Sequence, residues 1–335
     1  MSSQPGTRNL EPGTRRAERP GKYLVTGAAG FIGSHVVERL LEEGHAVKAL
    51  DNFSTGKRDN LAACEGNGNF HLMIGDVRNL EECHRACEEV DCVLHQAALG
   101  GVPRSVSDPI ATNQSNLDGV LNMLVAARDA EVGRFVFASS SSTYGDGSIL
   151  PLAEGQPAAP ISPYAVTKRS GEQYCSAFHR LYGLRTVSLR YFGVFGPRQD
   201  ASSHFAAVIP AFIAALLRGE APTVYGDGGQ TRDFTYVSNV VDANLAACCV
   251  EQPEAFGRVY NVGCGQRISI GELYEKIAER IGSGLKPGRG PARMGDVRDS
   301  QADITAAREA LGWEPRVTLE QGLERTIEFY RQSLR

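Results

Sequence analysis

The amino-acid sequence predicts an α/β protein: a Rossmann-type, doubly wound parallel sheet joined to a smaller C-terminal α/β lobe. Three observations carry this. Apolar strand-like runs alternate with amphipathic helical segments from residue 22 to 192, glycines punctuate the first strand–helix junction, and the alternation loosens after about residue 195. "KYLVTGA" (22–28) is a continuous apolar strand, and residues 31–44 form a helix with Phe31, Ile32, Val36, Val37, Leu40 and Leu41 on one face, stopped by Gly44. "AVKALD" (46–51), "FHLMIGD" (70–76), "DCVLHQAA" (91–98) and "RFVFASS" (134–140) are further strands. Residues 109–130 make a long helix with Leu117, Val120, Leu121, Leu124 and Val125 facing inward, and "RTVSLRYF" (185–192) follows a helix over 162–182. Strands separated by helices pair in parallel, with both faces of the sheet covered. Beyond that point, "AAVIPAFIAALLRG", "RVYNVG" and "SIGELYEKIAERIG" build a lobe at the sheet edge, with a cleft where the two meet.

The 335 residues suffice for a sizeable core, and a net charge of −4 without a basic stripe sets nucleic acid aside. No apolar run reaches the roughly 18 residues of a membrane span. Residues 1–20, rich in Pro, Gly and Arg, read as a disordered leader without the apolar core of a signal peptide. The expected division is 21–195 for the nucleotide domain, with 232–263 partly returning to it, and 196–335 mainly for substrate. None of the eight cysteines forms a C-x-x-C pair. Cys83, Cys87 and Cys92 follow a helix and the next strand, and Cys248 and Cys249 are adjacent. Metal sites want tighter clusters with histidines, so no metal is expected; reduced thiols in a cytoplasm are.

"TGAAGFIGSH" sets Gly27, Gly30 and Gly33 between the first strand and first helix. In that position Gly27 allows the tight turn, Gly30 admits a pyrophosphate to the backbone, and Gly33 permits close helix packing. The helix N-terminus offers unpaired N–H groups to the anion. Asp51, closing the second strand, suits an adenosine ribose diol and repels a 2′-phosphate, which favours NAD over NADP. Lys57 and Arg58 nearby pull weakly the other way. Asp76 closes the third strand, where it can meet the adenine edge. The competing account is an ordinary glycine turn with coincidental acids.

"SSSSTYG" (139–145) follows a strand whose C-terminal end faces the ligand crevice of such a sheet. In "SPYAVTKRS", Tyr164 and Lys168 lie one helical turn apart, on one face. The lysine can lower the tyrosine pKa and hold a nicotinamide ribose. The tyrosinate can then take a hydroxyl proton as hydride leaves carbon, with Ser140 orienting that hydroxyl.

With these motifs, "LDNFSTGKRDNL", "GDVRN", "VLHQAALGGVPRSVSDP", "LRYFGVFGPRQD", "GDGGQTRDFTYVSNVV" and "GDVRDSQADI", the chain from 22 to about 330 resembles the extended short-chain dehydrogenase/reductase family. Within it, the chain looks most like the nucleotide-sugar 4-epimerases of the UDP-N-acetylglucosamine 4-epimerase branch. The resemblance implies NAD contacts from Gly30, Phe31, Ile32, Asp51, Asn52, Ser54, Gly56, Asp76, Val77, Gln96 and Val194. It implies a catalytic trio of Ser140, Tyr164 and Lys168, with Ser141 and Ser142 near the sugar. Ala207, Val208, Tyr225, Arg232, Arg293 and Asp296 fall where the family grips uridine diphosphate, and the two arginines suit bidentate phosphate binding. Ser300 matches a gate beside the sugar, where a tyrosine excludes and a small residue admits a C2 N-acetyl group. Its rival role is capping a short helix starting near Gln301.

Two departures stand out. Gly193 replaces a common asparagine and Gly101 a common serine, and both are expected to open space near the sugar. Family dehydratases and decarboxylases place carboxylates where this chain has Ser141 and Ser142, so neither reaction is favoured. The implied activity is NAD-dependent 4-epimerisation of a UDP-sugar by transient C4 oxidation, with tight NAD retention. The leading pair is UDP-N-acetylglucosamine and UDP-N-acetylgalactosamine, or UDP-glucose and UDP-galactose. A UDP-uronic acid 4-epimerase is the alternative, although Asp200 stands near the place where those enzymes tend to carry arginine. A non-catalytic NAD-binding protein is the reading from outside enzymes. Relatives are commonly homodimers through helices like 109–130 and 162–182.

Overall fold

The computed structural model describes residues 21–146, 149–201, 207–292 and 295–334; the leader 1–20 and Arg293 lie outside the described residues. Strands β1 (Lys22–Thr26), β2 (Ala46–Asp51), β3 (Phe70–Ile74), β4 (Cys92–His95), β5 (Arg134–Ser140) and β6 (Thr186–Tyr191) form the central sheet together with β11 (Arg258–Val262). The short pieces β7 (Val194–Phe195), β8 (Thr223–Tyr225), β9 (Thr231–Arg232), β10 (Thr235–Tyr236), β12 (Ile268–Ser269) and β13 (Gly288–Gly290) pair separately. The seven-stranded order is β11-β6-β5-β4-β1-β2-β3, parallel throughout. Chain direction across the sheet reverses between β1 and β4, and ligands of open α/β sheets bind outside the strand ends at such a point.

Helices α1 (Phe31–Glu42), α8 (Val237–Cys249) and α10 (Thr305–Leu311) cover one face, burying Val36, Leu40, Val240, Ala243 and Leu311. Helices α2 (Leu80–Cys87), α5 (Gly119–Asp129) and α6 (Pro163–Tyr182) cover the other with Cys83, Val120, Leu124, Cys175 and Phe178. A further core, built by α7 (Val208–Leu217), α9 (Ile270–Ile281) and α11 (Leu319–Ser333), holds the C-terminal lobe. Among the described residues no helix is long and apolar enough to cross a membrane.

The segment expected as one helix over 109–130 is three pieces. α3 (Val102–Ser107) precedes α4 (Pro109–Asn113), a π turn over Gln114–Asp118 and then α5. Only Val120 and Leu124 of the five expected inward residues are fully buried; Met123 and Ala127 join them, while Leu117, Leu121 and Val125 are half-buried. The wider π turn re-aims Asn116. Its Oδ1 accepts from the Leu99 N–H at 2.7 Å and its Nδ2 donates to the Leu99 carbonyl at 3.2 Å, fixing the loop after β4.

Local signals shape α6. The Ser162 hydroxyl caps it by accepting from the Ala165 N–H at 3.2 Å, Pro163 takes the first turn, and Gly183 at φ 73° ends it.

Candidate active site

A cleft of about 420 Å³ opens at the β1/β4 switch, lined by the glycine turn, the ends of β2 and β4, and residues of α6. Its floor is built by close approach. Gly27 has φ 64°, and a Cβ there would stand 2.7 Å from the Ala97 backbone. A Cβ at Gly33 would meet the Gly27 carbonyl at 2.1 Å, whereas at Gly30 the one close atom is that carbonyl at 3.0 Å. Gly30 is also the N-cap of α1 and supplies no side-chain acceptor, so the first-turn amides face the cleft uncapped. A cofactor pyrophosphate fits this cradle.

Asp51 braces the turn. Its Oδ2 accepts from the Ala29 N–H at 2.8 Å and Oδ1 from the Phe53 N–H at 2.7 Å. Burial pushes its pKa up, against the pull of those two N–H groups. Each oxygen keeps lone-pair capacity for a ribose hydroxyl. Gly56 packs beside it, and Phe31, Ile32, Asn52, Ser54, Val77 and Gln96 line the same cleft. Lys57 pairs with Asp200 at 3.1 Å and Arg58 with Glu65 at 3.4 Å, so both cations near Asp51 are engaged elsewhere. Asp76 follows the third strand, and its carboxylate is held by Arg78 (2.6 Å) and Asn52 (2.9 Å), with Arg78 first among the causes that draw its pKa down to about 2. Gly75 and Val77 line the cleft on either side of it. Val194 sits in β7, packed among apolar residues.

Ser140, Tyr164 and Lys168, the trio expected from the sequence, lie together at the end of β5. The Tyr164 hydroxyl is hydrogen-bonded to Ser140, which lowers its pKa against a larger upward push from burial. Lys168 Nζ donates to the Ala138 carbonyl at 2.7 Å and stands 5.8 Å from the Tyr164 ring centroid. Burial draws the Lys168 pKa down to about 8, opposed by Cys175 and Glu172. The Ser140 hydroxyl accepts from both the N–H (3.2 Å) and hydroxyl (2.9 Å) of Ser142, at the start of the 3₁₀ turn Ser141–Tyr144. No carboxylate occupies that turn. Opposite Ser140 on β6, the Tyr191 hydroxyl meets Gln96 at 3.2 Å and Asn244 at 3.1 Å.

Comparison with known proteins gives the family. Residues 23–263 match the NAD dependent epimerase/dehydratase family. The chain belongs to that family. A Mycolicibacterium smegmatis UDP-glucose 4-epimerase is 40% identical over 312 residues, covering 92% of this chain and 98% of that one. A UDP-N-acetylglucosamine 4-epimerase from Methanobrevibacter ruminantium, solved with UDP-N-acetylmuramic acid, superposes with a TM-score of 0.89 at 37% identity, over 94% of this chain and 100% of the other. A Thermus thermophilus UDP-glucose 4-epimerase in complex with NAD gives 0.84 at 38% identity, over 92% and 99%. NAD is the cofactor of this epimerase/dehydratase-family protein.

The substrate side is less concentrated. Tyr164 and Ala207, the N-cap of α7 before Val208, reach the cleft. Tyr225 lies in β8, half exposed. Arg232 pairs with Asp296 at 3.2 Å and lines a separate cavity of about 610 Å³ rather than the cofactor cleft. Ser300 is buried, its N–H donating to the Thr231 carbonyl at 3.2 Å. No helix starts at Gln301; α10 starts at Thr305 with Ile304 as N-cap, which removes the capping role. Gly193 needs correction. At φ 42° its Cβ would stand 2.3 Å from the Asp233 carbonyl, so the glycine lets two backbones touch and opens no space near a sugar. Gly101, at φ 99°, likewise has a backbone reason to be glycine.

Arg104, Ser115, Asn60, Arg198 and Gln199 also line the cleft, and the sequence reading singled out none of them. Arg104 sits inside the quoted "VPRS"; only its position marks it.

The family assignment and the engaged Lys57 and Arg58 lead to one expectation for the purified protein. Denaturation should release NAD(H), identified by chromatography of the supernatant; recovering chiefly NADP(H) would contradict the role given to Asp51.

Proposed function

We propose that the protein is a UDP-sugar 4-epimerase, with a UDP-N-acetylhexosamine (UDP-N-acetylglucosamine/UDP-N-acetylgalactosamine) as the leading substrate and UDP-glucose/UDP-galactose as the nearest related pair. The observation that carries this is the assembled Ser140–Tyr164–Lys168 set with serines, not carboxylates, at 141 and 142. Gly27, Gly30, Gly33 and the α1 amides would hold the pyrophosphate, Asp51 a ribose, and Lys168 the nicotinamide ribose. Bound NAD supplies a hydride acceptor and then a hydride donor for C4. Tyr164 takes the C4 hydroxyl proton and, once the 4-keto sugar has turned its other face to the hydride, returns it to the C4 oxygen; Ser140 orients that hydroxyl. At neutral pH Lys168 is largely protonated, below its value of about 8, so a cation stands beside the base. Burial raises the Tyr164 pKa, and a neighbouring cation favours the phenolate.

Dehydration and decarboxylation lack their acid at this turn. The uronic acid alternative ranks second on the resemblance alone, since Asp200 stands in the sequence near the place where those enzymes tend to carry arginine; in the structure Asp200 is paired with Lys57. A non-catalytic binding role leaves the trio unexplained.

Tyr164→Phe removes the proton acceptor and should lower kcat by about 10²–10⁴-fold with UDP-sugar binding kept. Near-normal C4 inversion in that variant would assign the base elsewhere.

Ser300 supports the N-acetylated substrate. It is small and buried, and the bridge between Thr231 and Asp299 sets it beside Arg232. With the capping role gone, Ser300→Tyr should abolish turnover of N-acetylated UDP-sugars and spare UDP-glucose. Equal loss on both, across a panel assayed without added NAD, would remove the argument for the N-acetyl group.

A homodimer is proposed through α3–α6, whose outer face exposes Val106, Ile110, Val166, Tyr174 and Leu181. Light scattering should give twice the chain mass; a monomer mass would refute it.

A further inference from the structure

Behind the trio lies a charged cluster that the mechanism above leaves unused. Glu172 is buried on α6, one turn beyond Lys168. Its Oε1 accepts from the Ser139 hydroxyl at 2.5 Å and from Arg190 Nε at 2.7 Å. Its Oε2 accepts from Arg190 Nη2 at 2.8 Å and Arg169 Nη1 at 2.9 Å. Arg190 stands on β6 directly opposite Ser139, fully buried, with its guanidinium 4.4 Å above the Tyr144 ring centroid. An ion pair this deep is weak evidence for stability, because desolvation offsets its attraction and apolar residues of equal volume often serve as well.

Its placement suggests another role. β5 is flanked by β4 only as far as Phe137, which lies opposite His95. Ala138, Ser139 and Ser140 pair with β6 alone, so the stretch that delivers the catalytic serine has an open side. α6 closes it. Lys168 takes the Ala138 carbonyl and Glu172 takes the Ser139 hydroxyl, while Gly171 lies so close that a Cβ would stand 2.5 Å from Phe137 Cζ.

We propose that Glu172 is a positioning residue: through Ser139 it holds the end of β5 so that Ser140 meets the Tyr164 hydroxyl, and the two Arg190 hydrogen bonds fix its carboxylate in place. This rests on the roles given above to Ser140 and Tyr164. The surrounding groups are consistent with it. Tyr164 is faced by Lys168 on its own helix, Ser140 on β5 and Tyr191 on β6. Glu172 is faced by Arg169, Ser139 and Arg190, and its charge also supports the protonated form of Lys168. Loss of the Ser139 contact lets Ser140 drift from the phenol, withdrawing a hydrogen bond that favours the phenolate.

Glu172→Gln is the direct variant, but it leaves the buried Arg190 uncompensated and risks the fold. Ser139→Ala, which deletes one hydroxyl, decides. In the Ser139→Ala holoenzyme, NAD content should be unchanged and kcat should fall about tenfold with KM kept, the pattern of a lost transition-state interaction. The Tyr164 ionisation midpoint should rise by at least about half a pH unit, read as tyrosinate ultraviolet absorbance after subtracting a Tyr164→Phe reference. An unmoved midpoint overturns the proposal, whether or not the melting temperature falls. If the wild-type protein inverts no UDP-sugar, the proposed function fails, while the titration still decides the positioning role.

Discussion

The site depends on how closely α6 approaches the end of β5. Three successive strand residues are each engaged by the helix: Phe137 against Gly171, the Ala138 carbonyl by Lys168, and the Ser139 hydroxyl by Glu172. The absence of a Cβ at 171 lets the helix settle, and the two polar contacts then fix its height along the strand. Tyr164 and Ser140 meet as a consequence. A side chain at 171 would force the Phe137 ring and helix apart, because packed interiors have no slack to absorb an added carbon.

Burial sets the electrostatics of this seam. It raises the Tyr164 pKa and draws Lys168 down to about 8, so each neutral form gains ground. The opposing influences are local: Ser140 on the phenol, Cys175 and then Glu172 near the ammonium. At the other end of the cleft Asp51 shows the same balance, destabilised by burial and supported by two backbone N–H groups. That carboxylate serves the fold by tying the glycine turn to β2, and the same two contacts fix it at the position proposed above to meet a ribose.

The C-terminal lobe is fastened by Asp233, fully buried between β9 and β10. Its carboxylate accepts N–H groups from Cys264 (2.8 Å), Gly265 (2.9 Å) and Ala302 (3.0 Å), and burial still lifts its pKa to about 6. Its own carbonyl occupies the place a Gly193 side chain would take. Ser300 therefore lies two residues before Ala302, which Asp233 holds, and next to the strand of Arg232.

The sequence by itself determined the alternation of strands and helices, the glycine cradle and the spacing of Tyr164 and Lys168. Each is a local pattern: apolar period, turn chemistry and one helical repeat are written in neighbouring residues. It also supplied the motif resemblance that named the family. Only the tertiary structure decided what contacts between distant segments settle. The π turn at 114–118 answers to Leu99, Asp76 is claimed by Arg78 and Asn52, and Lys57 is claimed by Asp200. Gly193 looked like a missing side chain until Asp233 was seen against it. Nothing in the sequence marks Glu172 and Arg190, 18 residues apart, because a one-dimensional pattern does not show two charges as buried until a sheet and a helix close over them.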